Sequence, residues 1–355
     1  MVVLPSLMLA PKPSVLITGM AGFIGFHLAQ RLRRQGARIV GLDNLNDYYD
    51  PALKHARLRE LGIAVPDDPH GCSVSDDGDV TFYRADLADA DAIRRIFDAH
   101  SFDVVIHLAA QAGVRYSIEH PEAYVQSNLV GTANILEACR HKPPSHLLYA
   151  SSSSVYGMST RVPFRTDDPA DEPVSLYAAT KRSNELIAYC YSHLYGIPST
   201  GLRFFTVYGP WGRPDMAYFM FSQDILAGRP ITVFNDGAMS RDFTYVDDVV
   251  EGIVRLLDKP PAEGNGARHR VLNIGNNAPV NLLDFVRVLE EGLGASAVIE
   301  YAPMQPGDVV ATWADSSELW QLTGFTPSTS VRDGVAAFAR WYREYFSVPN
   351  EPLTP

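Results

Sequence analysis

Three glycines spaced three residues apart, Gly19, Gly22 and Gly25, follow the apolar run SVLIT and precede a segment whose apolar residues have helical spacing. A chain can turn this tightly from a strand into a helix where side chains are absent, because a Cβ would block the close approach of backbone to backbone. The folded part is therefore predicted to begin with a strand, a turn and a helix. The N–H groups and the partial positive charge at the start of such a helix favour a bound phosphate.

The alternation of short apolar runs with helical segments continues along the chain. Strands are predicted at residues 14–18, 38–42, 79–83, 103–108, 147–151 and 200–205, and helices at residues 176–195, 281–293 and 331–346. Strands that alternate with helices form a parallel sheet with helices on both faces. The predicted class is α/β, a Rossmann doubly wound parallel sheet with a smaller C-terminal substrate-binding lobe.

A change of composition predicts where the two parts meet. Proline, glycine and aromatic residues become frequent after residue 206, and the alternation of strands and helices stops. We expect a nucleotide-binding Rossmann domain at residues 14–206 and, at residues 207–346, mainly a substrate lobe with segments that return to the core. Residues 62–79 are polar and acidic and are expected to form an exposed insertion. Residues 1–13 and 347–355 are expected to be tails, the first of them flexible.

The charge and the cysteine content exclude several partners. A net charge of −11 over 355 residues argues against nucleic-acid binding, which needs clustered Lys and Arg. The apolar N-terminal segment is broken by prolines and lacks a basic start, so it fits neither a signal peptide nor a membrane span. Three cysteines without metal-type spacing predict reduced thiols and no metal site. A cytoplasmic location is expected.

An aspartate at the end of the second strand indicates which dinucleotide is bound. Asp43 lies eighteen residues after Gly25, where a carboxylate can accept hydrogen bonds from both hydroxyls of an adenosine ribose. The same charge would repel a 2′-phosphate, so the cofactor is predicted to be NAD rather than NADP. Asp86 follows the third strand, and it is expected either to meet the adenine or to cap a helix.

A tyrosine and a lysine share one face of the predicted helix at residues 176–195. Tyr177 and Lys181 are four residues apart, so their side chains point the same way. An adjacent ammonium favours the phenolate and lowers the pKa of a tyrosine, which makes it a usable base. Such a pair could also serve packing alone. The serines of ASSSSVYG end a preceding strand, where open sheets bind ligands, although some of them could simply satisfy a turn.

With these motifs in place, the sequence resembles the extended short-chain dehydrogenases/reductases and, within them, the UDP-glucuronate 4-epimerase family. The resemblance spans most of the chain between residues 14 and 346. It rests on the segments GMAGFIGFHLAQRL, GLDNLNDYYDPALKHARL, QAGVRYSIEHPEAYVQSNLVGTANILEACR, ASSSSVYG, SLYAATKRSNELIA, LRFFTVYGPWGRPDMAYFMF, RDFTYVDDVVEG and PMQPGDVVATWAD.

The resemblance implies a role for each group of residues. It implies a catalytic group of Ser152, Tyr177 and Lys181. It places around NAD, besides Tyr177 and Lys181, the residues Gly19, Gly22, Phe23, Ile24, Gly25, Asp43, Asn44, Asp86, Leu87, Leu108, Ala109 and Ala110. It places around the UDP-sugar the residues Arg115, Ser152, Ser153, Ser154, Thr206, Arg213, Arg241 and Asp308. It further implies a homodimer formed through the helices at residues 121–140 and 176–195.

For some of these residues a purely structural role is an alternative to the functional one. Arg241 suits a phosphate because its planar fork makes bidentate hydrogen bonds, but it could instead pair with Asp242 or Asp247. Arg213 could bind a substrate carboxylate or tie down Asp215. The Asp247–Asp248 pair is read as capping a helix rather than as holding a metal.

The implied reaction is the reversible 4-epimerisation of UDP-glucuronate to UDP-galacturonate, through a 4-keto intermediate, with NAD regenerated. Related dehydratases carry an Asp-Glu pair before VYG and related decarboxylases a Glu, where this chain has Ser153 and Ser154. Without these carboxylates, acid-base help for eliminating water or carbon dioxide is missing. The alternatives are a UDP-glucose/UDP-galactose 4-epimerase and a UDP-glucuronate decarboxylase. A non-catalytic nucleotide-sugar sensor is disfavoured because Tyr177 and Lys181 are both present.

Overall fold

A computed structural model describes residues 12–263, 266–305 and 308–348 of the chain. The strands are β1 Ser14–Thr18, β2 Arg38–Asp43, β3 Cys72–Val74, β4 Val80–Arg84, β5 Val104–His107, β6 His146–Ser152, β7 Ser199–Phe204, β8 Thr206–Tyr208, β9 Ile231–Phe234, β10 Ser240–Tyr245, β11 His269–Ile274, β12 Pro279–Asn281 and β13 Ile299–Ala302. The tails predicted at residues 1–13 and 347–355 lie outside the described residues, except for residues 12–13 and 347–348.

Helices flank these strands, and those predicted at residues 176–195, 281–293 and 331–346 are among them. They are α1 Phe23–Arg34, α2 Pro51–Glu60, α3 Ala90–Ala99, α4 Tyr116–Glu119, α5 Pro121–Tyr124, α6 Gly131–His141, α7 Leu176–Tyr195, α8 Ala217–Leu226, α9 Val246–Leu256, α10 Leu282–Leu293, α11 Ser317–Thr323 and α12 Val331–Tyr345. A π-helical stretch, Val125–Val130, joins α5 to α6, and two short 3₁₀ turns lie at Ser153–Tyr156 and Asn235–Gly237. Among the described residues, no helix is both long and apolar enough to cross a membrane.

Eight strands form the central sheet, in the order β11-β7-β6-β5-β1-β2-β4-β3. All neighbours in it are parallel except β3, which pairs antiparallel with β4. The order runs outward in both directions from β1, so the carboxyl ends of β1 and β5 leave a crevice between their connections. The predicted Rossmann doubly wound sheet is confirmed.

The lobe is built from two small sheets and three helices around an aromatic core. One sheet has the order β12-β10-β8, and the other pairs β13 with β9. Buried side chains of α8, α10 and α12, among them Phe219, Phe285 and Phe338, pack together beneath them. The strand β11 pairs with β7 of the central sheet, and α9 packs against α1. The division at residue 206 stays a prediction.

Two local expectations differ from the structure, and one helix was not predicted. The insertion at residues 62–79 is not simply an exposed loop, because β3 adds an antiparallel edge strand and Ile63 is buried. The helix α2, for which no prediction was made, begins with Asp50 accepting a hydrogen bond from the Ala52 N–H and with Pro51 in its first turn. Asp247 and Asp248 lie in the first turn of α9 and do not cap it.

Candidate active site

The glycine turn between β1 and α1 leaves no room for side chains. A Cβ on Gly25 would lie 2.2 Å from the Gly19 carbonyl oxygen, and one on Gly19 would lie 2.9 Å from the backbone of Ala109. Gly19 also has a φ of +72°, in the left-handed region that favours glycine. The first turn of α1 therefore opens directly onto the cleft. Its backbone N–H groups fit a pyrophosphate, as the sequence predicts.

Buried polar side chains beneath this turn form hydrogen bonds that fix the strands on either side of it. The Thr18 hydroxyl is 2.8 Å from Nδ1 of His107 and accepts a hydrogen bond from the Ala109 N–H at 3.0 Å. Nε2 of His107 is 3.0 Å from the Thr132 hydroxyl. Burial lowers the pKa of His107 to about 3, and the nearby Lys181 charge acts in the same direction. The ring is therefore neutral, and it links β1, β5 and α6 beneath the dinucleotide site.

Asp43 lies at the end of β2 and is buried at the adenosine side of the cleft. Its Oδ1 accepts a hydrogen bond from the Leu45 N–H at 2.9 Å and lies 3.6 Å from Nζ of Lys54. This placement fits the predicted ribose contact. Asp86 does not line the cleft: it accepts hydrogen bonds from the Asn44 amide and the Ala88 N–H. The alternative that Asp86 caps a helix is wrong, because Asp89 caps α3.

One cavity of about 780 Å³ runs from the glycine turn to the serine cluster. Of the residues assigned from the sequence, those that line it are Gly19, Gly22, Phe23, Ile24, Gly25, Asp43, Asn44, Leu87, Leu108, Ala109, Ala110, Arg115, Ser152, Ser153, Ser154, Tyr177, Lys181, Thr206, Arg213 and Asp308. A cavity of this size takes a ligand of several rings. Asp86 and Arg241 are the two assigned residues that do not line it.

Tyr177 and Lys181 project from the first turns of α7, which Ser175 caps by accepting from the Ala178 N–H. Nζ of Lys181 donates to the Ala150 carbonyl at 3.0 Å, and burial lowers the pKa of Lys181 to about 8. Burial raises the pKa of Tyr177, against an opposing hydrogen bond from Ser152. The expectation that the ammonium lowers the pKa of Tyr177 is therefore wrong for the protein alone. Lys181 is directed to the strand β6, so desolvation dominates.

The serine cluster divides into a part that bonds to the core and a part that lines the cleft without bonding to it. Ser151 donates to Oε1 of Glu185 at 2.6 Å and belongs to a buried network with Arg203. Ser152 donates to the Ser154 hydroxyl at 3.1 Å and faces Tyr177. Ser152, Ser153 and Ser154 all line the cleft. The alternative of a serine that satisfies the backbone of a turn holds for Ser152, whose hydroxyl accepts a hydrogen bond from the Ser154 N–H at 3.2 Å.

Arg213 enters the same end of the cleft and is paired there. Its guanidinium donates to both carboxylate oxygens of Asp215, at 3.0 and 2.7 Å, and the Tyr48 hydroxyl donates to Asp215 at 3.0 Å. Burial pushes the pKa of Asp215 up, but the charge and hydrogen bonds of Arg213 outweigh it and lower that pKa. The alternative that Arg213 pairs with Asp215 is thus confirmed. In this position the guanidinium also interacts electrostatically with Tyr177.

A side cavity of about 180 Å³ adjoins the serines, and its lining includes Ser153, Ser154, Thr206, Arg241 and Asp308. Arg115 donates to Asp308 at 3.4 Å across its mouth. Nη1 of Arg241 donates to the carbonyls of Ser240 and Val310, at 3.0 and 3.2 Å. The alternative of an ion pair with Asp242 is wrong, because that carboxylate accepts the N–H groups of Asn276, Asn277 and Ala314.

The sequence predictions missed several residues in the cleft. Tyr48 and Lys54 both line it and come from the segment NDYYDPALK, which the resemblance included without assigning a role to either. The proline and the aspartate at its centre mark a helix start, which was an available signal. The involvement of Tyr48 with Asp215, 167 residues away, is a matter of tertiary packing. The described residues include no group of three or more His, Cys, Asp or Glu placed to hold a metal.

The fold and the cleft together define an α/β protein that binds a dinucleotide on a glycine turn and directs a Tyr–Lys pair at the same cleft. The chain belongs to the NAD dependent epimerase/dehydratase family, whose sequence profile matches residues 15–275. The resemblance found in the sequence is confirmed.

Named relatives cover nearly the whole chain. It is 49% identical over 344 residues to the probable UDP-glucuronate 4-epimerase of Rhizobium meliloti (strain 1021), covering 93% of this chain and 97% of the relative. It is 46% identical over 349 residues to UDP-glucuronate 4-epimerase 4 of Arabidopsis thaliana, covering 94% and 76%. The crystal structure of UDP-glucuronic acid 4-epimerase from Bacillus cereus, in complex with UDP-glucuronic acid and NAD, aligns with a TM-score of 0.82 at 34% identity, covering 94% and 99%.

Proposed function

We propose that this chain is an NAD-dependent isomerase that interconverts UDP-glucuronate and UDP-galacturonate by inverting carbon 4 of the sugar. The observation that carries the proposal is the end of the cleft where Arg213 and the hydroxyls of Ser153, Ser154 and Thr206 lie beside Tyr177. In a protein of net charge −11, an arginine directed into the reaction cleft is a specific feature for an anionic sugar. The epimerase relatives support the same substrate.

The proton chemistry falls to the residues of α7 and β6. Tyr177 accepts the proton of the 4-hydroxyl on oxidation and returns it on reduction. Ser152 hydrogen-bonds Tyr177 in a way that favours the phenolate, and the positive charge of Arg213 acts in the same direction. Bound NAD supplies a hydride acceptor and, after the 4-keto sugar has turned, a hydride donor to its other face. Because burial raises the pKa of Tyr177, this positive environment is needed for the base to work near neutral pH.

The carboxylate is the part of the substrate that needs restraint. A 4-keto uronate is a β-keto acid, which loses carbon dioxide when its carboxylate leaves the plane of the carbonyl. Nε and Nη2 of Arg213 already donate to Asp215, so Nη1 of Arg213 and the serine and threonine hydroxyls are the donors that would hold the two carboxylate oxygens. Positions 153 and 154 carry serines in place of carboxylates, so they add no acid or base for elimination.

A homodimer and a cytoplasmic location belong to the same proposal. Apolar side chains such as Leu186 and Tyr189 are half exposed on α7, which supports pairing through this helix and the helical segment that ends in α6. All three cysteines are free, which supports a reducing compartment. A light-scattering mass equal to one chain would contradict the dimer.

The proposal is tested by incubating the purified protein with UDP-glucuronate, and in parallel with UDP-glucose and UDP-galactose, without added reductant. Proton NMR should show UDP-galacturonate and no UDP-pentose. Conversion of the neutral sugars alone would favour the UDP-glucose/UDP-galactose epimerase. Accumulation of UDP-xylose would favour the decarboxylase.

A further inference from the structure

Arg57 on α2 is a fully buried arginine outside the site described above. Its Nη1 donates to the Ala21 carbonyl and to the Tyr49 hydroxyl, both at 2.8 Å. Its Nη2 donates to the carbonyls of Trp211 at 2.7 Å and Gly212 at 3.2 Å. All four acceptors are neutral oxygens, and Nε has no hydrogen-bond partner in the part of the chain that the structure describes. A charge buried on neutral acceptors is costly, which points to a role beyond packing.

The carbonyls that Arg57 holds belong to the two segments that form the cleft. Ala21 lies inside the glycine turn, between Gly19 and Gly22. Trp211 and Gly212 immediately precede Arg213 and follow the strand β8. A single guanidinium thus joins the predicted pyrophosphate site to the loop that carries the arginine for the sugar. The planar fork of arginine allows this double contact, which a lysine could make at one point only.

The loop before Arg213 is in a conformation that needs such support. Trp211 has a φ of +60°, a left-handed conformation that is unfavourable for a non-glycine residue and persists where its surroundings enforce it. A Cβ on Gly212 would lie 1.9 Å from the Tyr218 hydroxyl, so the loop has little freedom to shift inward. His27 of α1 adds a third contact from the same side, 2.9 Å from the Pro210 carbonyl.

We propose that Arg57 is a positioning residue that sets the place of Arg213 relative to the dinucleotide turn, and so couples retention of the cofactor to restraint of the substrate carboxylate. The inference rests on the proposed function, in which Arg213 binds that carboxylate. Arg57 itself does not touch the cleft; it acts through the carbonyls of Ala21, Trp211 and Gly212. When these contacts are lost, the carboxylate is held less firmly, and more of the 4-keto sugar loses carbon dioxide before it is reduced.

The test compares Arg57→Met, Arg57→Lys and the control Leu289→Ala, which removes a buried side chain from the core of the lobe. Each protein is incubated with UDP-glucuronate, and the ratio of UDP-pentose to UDP-galacturonate is measured by NMR. NAD that remains bound after gel filtration is measured separately. A ratio of products does not depend on the fraction of folded enzyme, so general destabilisation leaves it unchanged.

We expect UDP-pentose, which the original protein should not release, to become a measurable share of the products of Arg57→Met, because small displacements at a reaction centre have large effects on rates. Arg57→Lys should fall between Met and the original protein, and Leu289→Ala should keep the original ratio. Bound NAD should decrease in the same order. If Arg57→Met does not fold, Arg57→Lys alone still shows whether the ratio of UDP-pentose to UDP-galacturonate changes or only the total amount of product falls.

Two failures are distinguishable. The proposed function fails if the unaltered protein forms no UDP-galacturonate. The positioning role is overturned if UDP-galacturonate forms and both Arg57 variants keep the original product ratio and the original NAD content. Without UDP-galacturonate, the NAD readout decides, and equal retention in all variants overturns the role.

Discussion

The two ends of the cleft are specified by opposite means. At the dinucleotide end, formed by Gly19, Gly22 and Gly25, recognition depends on what is missing, because a Cβ would occupy the backbone contact itself. At the sugar end, formed by Tyr177 and the pair of Arg213 and Asp215, recognition depends on ionised side chains that hydrogen-bond one another before substrate arrives. The first end is therefore sensitive to any added atom and the second to any changed charge.

The comparison predicts that chemistry can be removed from the sugar end without disturbing the other. Tyr177→Phe should lower kcat by about 10²–10⁴-fold, because it deletes the proton acceptor. The content of bound NAD, measured after gel filtration, should stay unchanged. Tyr301→Phe is the matched control, since Tyr301 is half exposed in the lobe and lies outside the cleft. Activity of Tyr177→Phe within tenfold of the original would break the comparison.

The reverse experiment addresses the dinucleotide end. Gly25→Ala places a methyl group 2.2 Å from the Gly19 carbonyl oxygen, so the turn must open. We expect bound NAD to fall by about 100-fold, which is the effect of displacing a preorganised site by about an ångström. Gly252→Ala is the control, because its Cβ would meet nothing nearer than 3.7 Å on another helix. Equal NAD contents in the two variants would show that the turn adapts.

Changing a charge at the sugar end should alter selectivity more than chemistry. Asp215→Asn removes the carboxylate that pairs with Arg213 and that would repel the substrate carboxylate. The dissociation constant for UDP-glucuronate should fall by about three- to tenfold, and that for UDP-glucose should not change. Asp224→Asn, which affects a surface pair with Arg229, is the control. Weaker binding of UDP-glucuronate to Asp215→Asn would show that Asp215 positions Arg213 rather than competing for it.

Acid should destabilise the fold in part through His107, beneath the dinucleotide end. His107 has a pKa lowered to about 3 by burial, whereas in the unfolded chain it titrates near about 6.5. Between these values the unfolded state binds more protons, so the free energy of unfolding falls as the pH decreases, by up to about 1.4 kcal/mol per pH unit for this residue. Chemical denaturation between pH 7 and 4.5 should show a shallower loss in His107→Gln than in the original protein. If the free energy of unfolding fell equally with pH in both proteins, the role given to His107 would be wrong.

The sequence predicts the dinucleotide end better than the sugar end for a physical reason. The glycine turn and Asp43 act through local backbone geometry, which a short segment encodes by itself. Tyr48 bonds Asp215, 167 residues away, and Arg57 bonds the carbonyls of Ala21 and Trp211, 36 and 154 residues away, so these contacts form once the fold brings the segments together. The pKa of Tyr177 belongs to the second group, because it depends on how deeply the ring is buried and on where Lys181 points.

The fold class was predictable because parallel strands and the helices between them have strong sequence patterns. The strand β3 was not predictable. Its three residues, Cys72 to Val74, lie in a polar and acidic segment and bury little. Their pairing depends on the free edge of β4 being adjacent, which no local propensity encodes. The helix α7, in contrast, matches its predicted bounds at both ends.

The edge strand β3 also affects whether copies of the chain can associate through their sheet edges in concentrated solution. Without it, β4 would present a row of unpaired N–H and C=O groups to any other strand, the usual starting point for edge-to-edge aggregation. A three-residue antiparallel strand covers this row and is too short to template another. The turn after it carries Asp77, which accepts hydrogen bonds from Ser75 and from Arg33 of α1 and so fastens the cover to the domain. The segment at residues 62–79 therefore opposes the pairing of a strand from another chain with that edge of the sheet.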